Sequence, residues 1–254
     1  MDRCDFLPVS AEEMHERGWW WYDALVVGGD AYVDHPSFGT AVISRVLEAE
    51  GLRVAVLAQP DWHDAEAFRA MGRPRLGVFI GAGNLDSMVA HYTAAKRRRS
   101  EDFYSPGKRT GCRPDRAAIV YCNRAREAFG PDVPIILGSL EASLRRFAHY
   151  DYWDDSVRRA ILFDAPADLL VYGMGEAATI EIAHRLKKKQ SVHTMTDIPG
   201  TGYITRDPSV CKFDHITLPS YEDVRDDKRL YAEATRTEYA EHDPVRGRAM
   251  IQPC

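Results

Sequence analysis

No stretch of this chain comes near the ~20 consecutive apolar residues that a bilayer-spanning helix needs. The amino end, MDRCDFLPVSAEEMHERGWWWYD, opens on charge and holds no apolar run of signal-peptide length. A cytoplasmic protein with no membrane partner is therefore expected. Cysteine is sparse and scattered: Cys4, Cys112, Cys122, Cys211 and Cys254 form no C-x-x-C pair and have no histidine at ligand spacing. Neither a disulfide framework nor a zinc site is indicated. Positive charge is not in surplus either. With 33 basic and 38 acidic residues the formal net charge is −5, so no nucleic-acid partner is expected. The basic runs Lys96-Arg97-Arg98-Arg99 and Lys187-Lys188-Lys189 fall near expected helix ends, where cations complement the dipole.

What is present is organised around one stretch, Ala24 to Trp62. An apolar run (Ala24 to Val27) reaches Gly28-Gly29-Asp30. A loop then crosses His35-Pro36-Ser37, a segment with Val42, Val46 and Ala49 on one stripe stops at Gly51, and a second apolar run (Val54 to Leu57) follows. That is a strand, a helix and a parallel strand joined by a right-handed crossover. Pro36 suits the first helical turn and Gly51 the left-handed position after the last. Before this unit, Ser10-Ala-Glu-Glu13 has the form of a capping box and predicts a short helix.

The same alternation continues. Asp61 or Asp64 caps a short helix closed by Gly72, and Leu76 to Ile80 is a third strand ending in Gly81-Ala82-Gly83-Asn84. A helix over 86–99 follows, then a polar insertion, SEDFYSPGKRTGCRP. Asp115 starts a helix reaching Phe129, Pro134 to Leu137 is a fourth strand, and Asp168 to Tyr172 is a fifth that leads into a helix ending near Lys189. From Ser191 the pattern changes to short extended pieces (192–196, 202–205, 215–218), a long polar helix over 221–243 capped by Ser220, and a last strand in MIQPC. The expected fold is α/β and flavodoxin-like: a five-stranded parallel sheet of order 2-1-3-4-5 with flanking helices over residues 1–190. A small β and helix extension covers 191–254.

Ligands of open parallel sheets sit outside the carboxyl ends of the strands. Those ends supply Asp30, His35, Ser37, Asp61, Asn84, Asp86, Glu141 and Glu176 as pocket candidates. The segment Glu141 to Trp153 adds Ser143, Arg145, Arg146, His149 and Asp151, a density of functional groups that a simple connection does not need. Its arginines could grip an anion or be neutralised by Glu141 and Asp151 as an internal network. This segment is expected to fold over the strand ends as a polar wall. Gly173-Met-Gly175-Glu-Ala-Ala178 has the form of a dinucleotide loop, but Glu176 puts a carboxylate where a pyrophosphate would need amides. Around His35 the order is Asp-His-Pro-Ser-Phe-Gly, which departs from the D-x-H-x-x-G that places a cobalt-ligating histidine, so cobalamin is not expected. No residue of the chain is assigned a catalytic or metal-ligating role.

Together FLPVSAEEMHERGW, GDAYVDHPSFG, AQPDW, AGNLDSM with HYTA, KRTGCRPDRA, ILGSLEASLRRFAHYDYWDDSVRR, DLLVYGMGE, GTGYIT, LPSYEDV and EHDPVRGRAMIQP span almost the whole chain. They resemble the amino-terminal region of the YgiQ-type radical S-adenosylmethionine proteins. One departure is Ser139, where a second glycine is common in that family. The resemblance implies a cobalamin-binding-domain-like region preceding a radical S-adenosylmethionine barrel. It also implies a 4Fe–4S cluster and S-adenosylmethionine in the full-length protein, with no cofactor in this chain. The family's cluster motif, C-x-x-x-C-x-x-C, is absent here. The region is thus expected to be an amino-terminal fragment, not catalytic alone, whose partner is the missing barrel and whose substrate is unknown. The alternative is a free-standing doubly wound protein that binds a nucleotide or small anion at the strand ends.

Overall fold

The structure, a computed structural model, describes residues 6–243 and 245–254; Cys4 lies outside them. Ser10 accepts the Glu13 amide and starts α1 (Ala11–Glu16). The alternation then runs β1 (Ala24–Gly28), α2 (Gly39–Ala49), β2 (Val54–Ala58), α3 (Glu66–Ala70), β3 (Gly77–Gly81), α4 (Ser87–His91), α5 (Ala117–Phe129) and β4 (Ile135–Leu137). After β4 come α6 (Ser139–Leu144), a hairpin of β5 (His149–Asp151) and β6 (Ser156–Arg158), β7 (Leu169–Val171) and α7 (Glu176–Lys187). The carboxyl-terminal part holds β8 (Thr201–Gly202), β9 (His215–Thr217), α8 (Tyr221–Asp226), α9 (Lys228–Ala240) and β10 (Ala249–Ile251).

The sheet order is β2-β1-β3-β4-β7-β8. Its first five strands are parallel, in the order read from the sequence. The expected count of five is corrected to six, because Thr201 and Gly202 pair antiparallel with Val171 and Leu170 at the edge. Strand period splits the core in two. Leu25, Val27, Val78, Ile80, Ile135 and Leu137 face α3 and α5, while Val26, Val56, Phe79, Ile136 and Val171 face α2 and α7. Burial on both faces is why these strands read as continuous apolar runs. The core does not stop at residue 190, since Val192, Met195 and Ile198 are buried on the α2 and α7 side.

Other differences have local causes. The helix expected over 86–99 ends at His91, where Tyr92 turns extended (φ −127°, ψ 151°) and the chain folds back to bridge Arg98. Pro36 precedes the first turn of α2 without entering it; the helix starts at Gly39. Asp115 does not cap α5. The residue before that helix, Arg116, is left-handed (φ 51°), and the first amides of α5 are satisfied from elsewhere in the fold. The helix expected over 221–243 breaks at Asp227 (φ −126°, ψ 113°), whose carboxylate caps α9 by accepting the Arg229 amide at 2.7 Å. Residues 192–194 form a 3-10 turn instead of an extended piece. Residues 249–251 form the expected last strand, paired parallel with β9. No helix among the described residues is long and apolar enough to cross a membrane.

Candidate functional site

The carboxyl ends of β1, β3, β4 and β7 open into a cleft of about 320 Å³ between α2 and α7. Its floor is the sheet face carrying Val26, Phe79, Ile136 and Val171, and its walls include Thr40, Ile43 and Thr179. Small residues make the space. Gly39 opens α2, Gly138 and Ser139 end β4, and Gly173 and Gly175 precede α7. Ser139 is held left-handed at φ 74°, its Oγ accepting the Ala82 amide at 3.1 Å. No Lys or Arg lines the cleft, and Glu176, in the first turn of α7, does.

Beside the cleft, Asp30 leaves β1 and is buried. It accepts the Asn84 amide at 2.7 Å and pairs with Arg113 at 2.9 Å. Asn84 in turn accepts from Gly39 N–H at 3.3 Å and donates to the Ser37 carbonyl at 2.9 Å, so Asp30, Asn84 and Ser37 tie the first loop to the third. His35 is exposed, and its Nδ1 accepts the Ser37 amide. Asp61 lies apart, exposed and bonded to His63 beside a Trp62 whose carbonyl is held by Arg124 of α5.

The polar segment after β4 is largely neutralised internally. Glu141 is 1% exposed and works as a cap for other elements: it accepts Ser87 N–H at 2.9 Å, Ser87 Oγ–H at 2.6 Å and the Ala118 amide at 3.1 Å. It thereby serves the orphan amides at the starts of both α4 and α5. Burial raises its pKa, with the Asp86 charge adding to the effect. Arg145 pairs with Asp86, which also caps α4. Arg146 donates to the Ser143 carbonyl at 2.7 Å and reaches Glu238 of α9 at 3.7 Å. Ser143 donates to the Ser139 carbonyl. His149 binds the Phe147 carbonyl, and burial pushes its pKa down. Asp151, 5% exposed, is paired with Arg116 at 2.8 Å; burial acts to raise its carboxyl, but the Arg116 bond prevails and holds it below the usual range.

Replacing Glu141 by glutamine removes one acceptor face and leaves a buried donor unmet, so a loss of about 1–3 kcal/mol is expected. The sign of its pH dependence follows from the raised folded-state pKa. Wild-type stability from this group is complete below its ordinary 4.5 and declines as pH rises through the folded value, so the gap between wild type and Glu141→Gln narrows with rising pH. Urea midpoints across that range test this, and a gap that widens would exclude it.

The residues that sequence reasoning missed lie in the polar insertion. Arg113 is fully buried and binds Asp102 through Nε and Nη2, both at 3.1 Å, while its Nη1 reaches the Ala82 carbonyl at 3.3 Å and Asp30. Asp102 also accepts Ser105 Oγ–H and the Tyr104 amide, and Tyr104 O accepts the Ala31 amide at 2.8 Å. Gln59, left-handed after β2, bonds Gly29 O at 3.0 Å and Ser105 Oγ at 2.7 Å. A loop rich in Gly, Pro and charge has no period to reveal this; only its length beyond an ordinary connection was a signal. Among the described residues no three His, Cys, Asp or Glu side chains are grouped to hold a metal ion.

A mostly parallel sheet between helices, with an apolar strand-end cleft and a strap held by buried Arg113, places the chain in the α/β class. Within it, the chain belongs to the Radical SAM N-terminal family, whose model matches residues 6–254. A UPF0313 protein of Clostridium botulinum (strain 657 / Type Ba4) is 53% identical over 252 residues, covering 99% of this chain and 39% of that protein. A UPF0313 protein of Clostridium perfringens (strain SM101 / Type A) is 52% identical over 252 residues, covering 99% and 38%. The chain thus spans about two fifths of the length of the curated relatives it matches. Among solved structures it is similar to TsrM from Kitasatospora setae, a radical S-adenosylmethionine methyltransferase with cobalamin and a 4Fe–4S cluster bound. That match has a TM-score of 0.46 and 20% identity and covers 72% of this chain and 27% of that one.

Proposed function

We propose that this chain is the amino-terminal domain of a longer radical S-adenosylmethionine enzyme, and that its strand-end face closes one side of that enzyme's reaction chamber. The observation that carries the reading is the set of exposed apolar side chains on that face. Val33, Val89, Leu140, Leu144 and Met174 are all exposed, and all sit on segments that leave the carboxyl ends of β1, β3, β4 and β7. Apolar side chains gathered beside a cleft mark a surface that another body covers. Family membership and the greater length of the relatives support the same reading. The described cysteines, Cys112, Cys122, Cys211 and Cys254, are not grouped to hold a metal ion, and on this reading the cluster's ligands belong to the rest of the longer polypeptide. What this chain contributes is shape: an apolar slot for an uncharged part of a substrate or cofactor, with the hydroxyls of Thr40, Ser139 and Thr179 in its lining. An anionic ligand in the slot is disfavoured, because Glu176 is the charged group in its lining.

Met174, 87% exposed at the cleft mouth, tests the covered face. In this chain alone dilute peroxide is expected to oxidise it at the rate of a free methionine. In the longer natural polypeptide the rate is expected to drop severalfold, read by peptide mass spectrometry. Equal rates in both would remove the covering body from the reading.

A further inference from the structure

The cations Lys96, Arg97, Arg98 and Arg99 are not at a helix end, because α4 stops at His91 and the run lies on the turn that folds back to Tyr92. The dipole account of the run therefore lapses. All four are exposed, and among the described residues none has a carboxylate within ion-pair distance. The carboxylates around them are committed elsewhere. Asp86 serves Arg145, Asp151 and Asp154 serve Arg116 and Arg158, Asp115 serves His91 and Tyr92 and feels Arg98 only from beyond ion-pair distance, and Asp155 accepts from Tyr150. The run is left as net positive charge in a chain that is acidic overall.

Aromatic rings adjoin it. Trp153 lies 5.1 Å from Tyr92 and 5.3 Å from Tyr152, centroid to centroid. The Lys96 ammonium sits 4.9 Å from the Tyr152 ring and donates to the Trp153 carbonyl at 3.2 Å, and the Arg98 guanidinium is 5.9 Å from Tyr92. Tyr152 is 47% exposed. These rings, with Arg99, Leu144, the Arg145–Asp86 pair and Asp151, line a second cleft of about 530 Å³ on the rim of the strand-end face, and Lys96, Arg97 and Arg98 lie outside its lining on the turn that leads to Arg99.

We propose that this groove binds a nucleotide, its base stacked on the Tyr152–Trp153 ledge and its phosphate held by the cations of 96–99. Cations without an ion-pair partner supply the phosphate attraction that the apolar cleft lacks, and the exposed Tyr152 ring, with half-buried Trp153 beside it, supplies the stacking surface. Aromatic side chains beside a basic run are the arrangement that holds unpaired bases, which offer a π-face whatever their identity.

The test is fluorescence anisotropy of this chain with a labelled single-stranded oligouridylate of about a dozen nucleotides, with unlabelled UMP and AMP as competitors. Binding that weakens with added salt is expected. The pair of changes Arg97→Glu and Arg98→Glu, at exposed positions, is expected to lower affinity by more than tenfold, and Tyr152→Ala by about tenfold, with Tyr152→Phe near wild type. Competition by UMP or AMP identifies a free nucleotide as the ligand, and its failure while the oligonucleotide binds identifies a strand. The proposal is overturned if neither probe binds at low salt, or if Tyr152→Ala and the charge reversals, shown folded by their unfolding midpoints, bind as wild type does. A duplex that binds as tightly as the single strand, with no Tyr152→Ala effect, also overturns it, because charge alone would then account for binding.

Discussion

Arg113→Met is expected to cost the fold about 3–5 kcal/mol, because it removes the cation shared by two buried carboxylates and leaves both uncompensated. Arg113 has no exposed side-chain surface, and Asp102 and Asp30 are 2% and 4% exposed. Burial already raises the Asp30 pKa, against the pull of Arg113 and the Asn84 amide. Without the guanidinium that value rises further. A carboxyl with a raised folded-state pKa loses its contribution to stability as pH rises through that value, so the penalty is smallest in acid and grows toward neutral pH. Urea midpoints of the two proteins at several pH values measure this; equal midpoints throughout would show the strap to be dispensable. Hydrogen exchange adds a local readout. The Ala31 amide, which donates to Tyr104 O on the strap, is expected to lose protection before the β1 amides do.

Gly29→Ala is expected to be as severe, about 4 kcal/mol or more, or to prevent folding. A Cβ at that position would stand 1.9 Å from the Ala82 carbonyl oxygen and 2.6 Å from its carbon, both of them backbone. No rotamer change relieves that contact, so the ends of β1 and β3 would have to separate and open the floor of the cleft. Gly51→Ala is the control. At Gly51 a Cβ meets nothing within 4 Å, and the cost is the left-handed φ of 75° alone, roughly 1–2 kcal/mol. Thermal unfolding of the two variants separates close approach from backbone strain. Similar losses at both positions would contradict the packing account.

The parallel strands were legible because burial on two faces writes continuous apolar runs between helical stripes, and their order follows from short right-handed crossovers. The short helix at Ser10 was legible for the same reason, a local pattern with one satisfied geometry. The edge strand was not. Thr201 and Gly202 carry no strand period, and only the open edge of β7 gives them partners. Helix ends governed by distant groups were also hidden: α5 begins where Ser87 and Glu141 meet its amides, and α4 stops before a turn held to it by Arg99.

The candidate site divides along the same line. Which groups reach the strand ends was legible along the chain, because chain direction in a parallel sheet brings those loops to one edge. Tertiary structure decided what each group does there. Glu141, Asp86, Arg145 and Asp151, so similar in sequence to an anion-binding wall, spend their charge on one another and on helix termini. The unremarkable run at Lys96–Arg99 is left without an ion-pair partner among the described residues, and its Arg99 joins Tyr152 and Trp153 in the lining of one groove. Charge and aromaticity are local properties of a chain, but whether a charge is already neutralised depends on partners distant in sequence, 59 residues for Arg145 and Asp86. Only the fold brings such residues together.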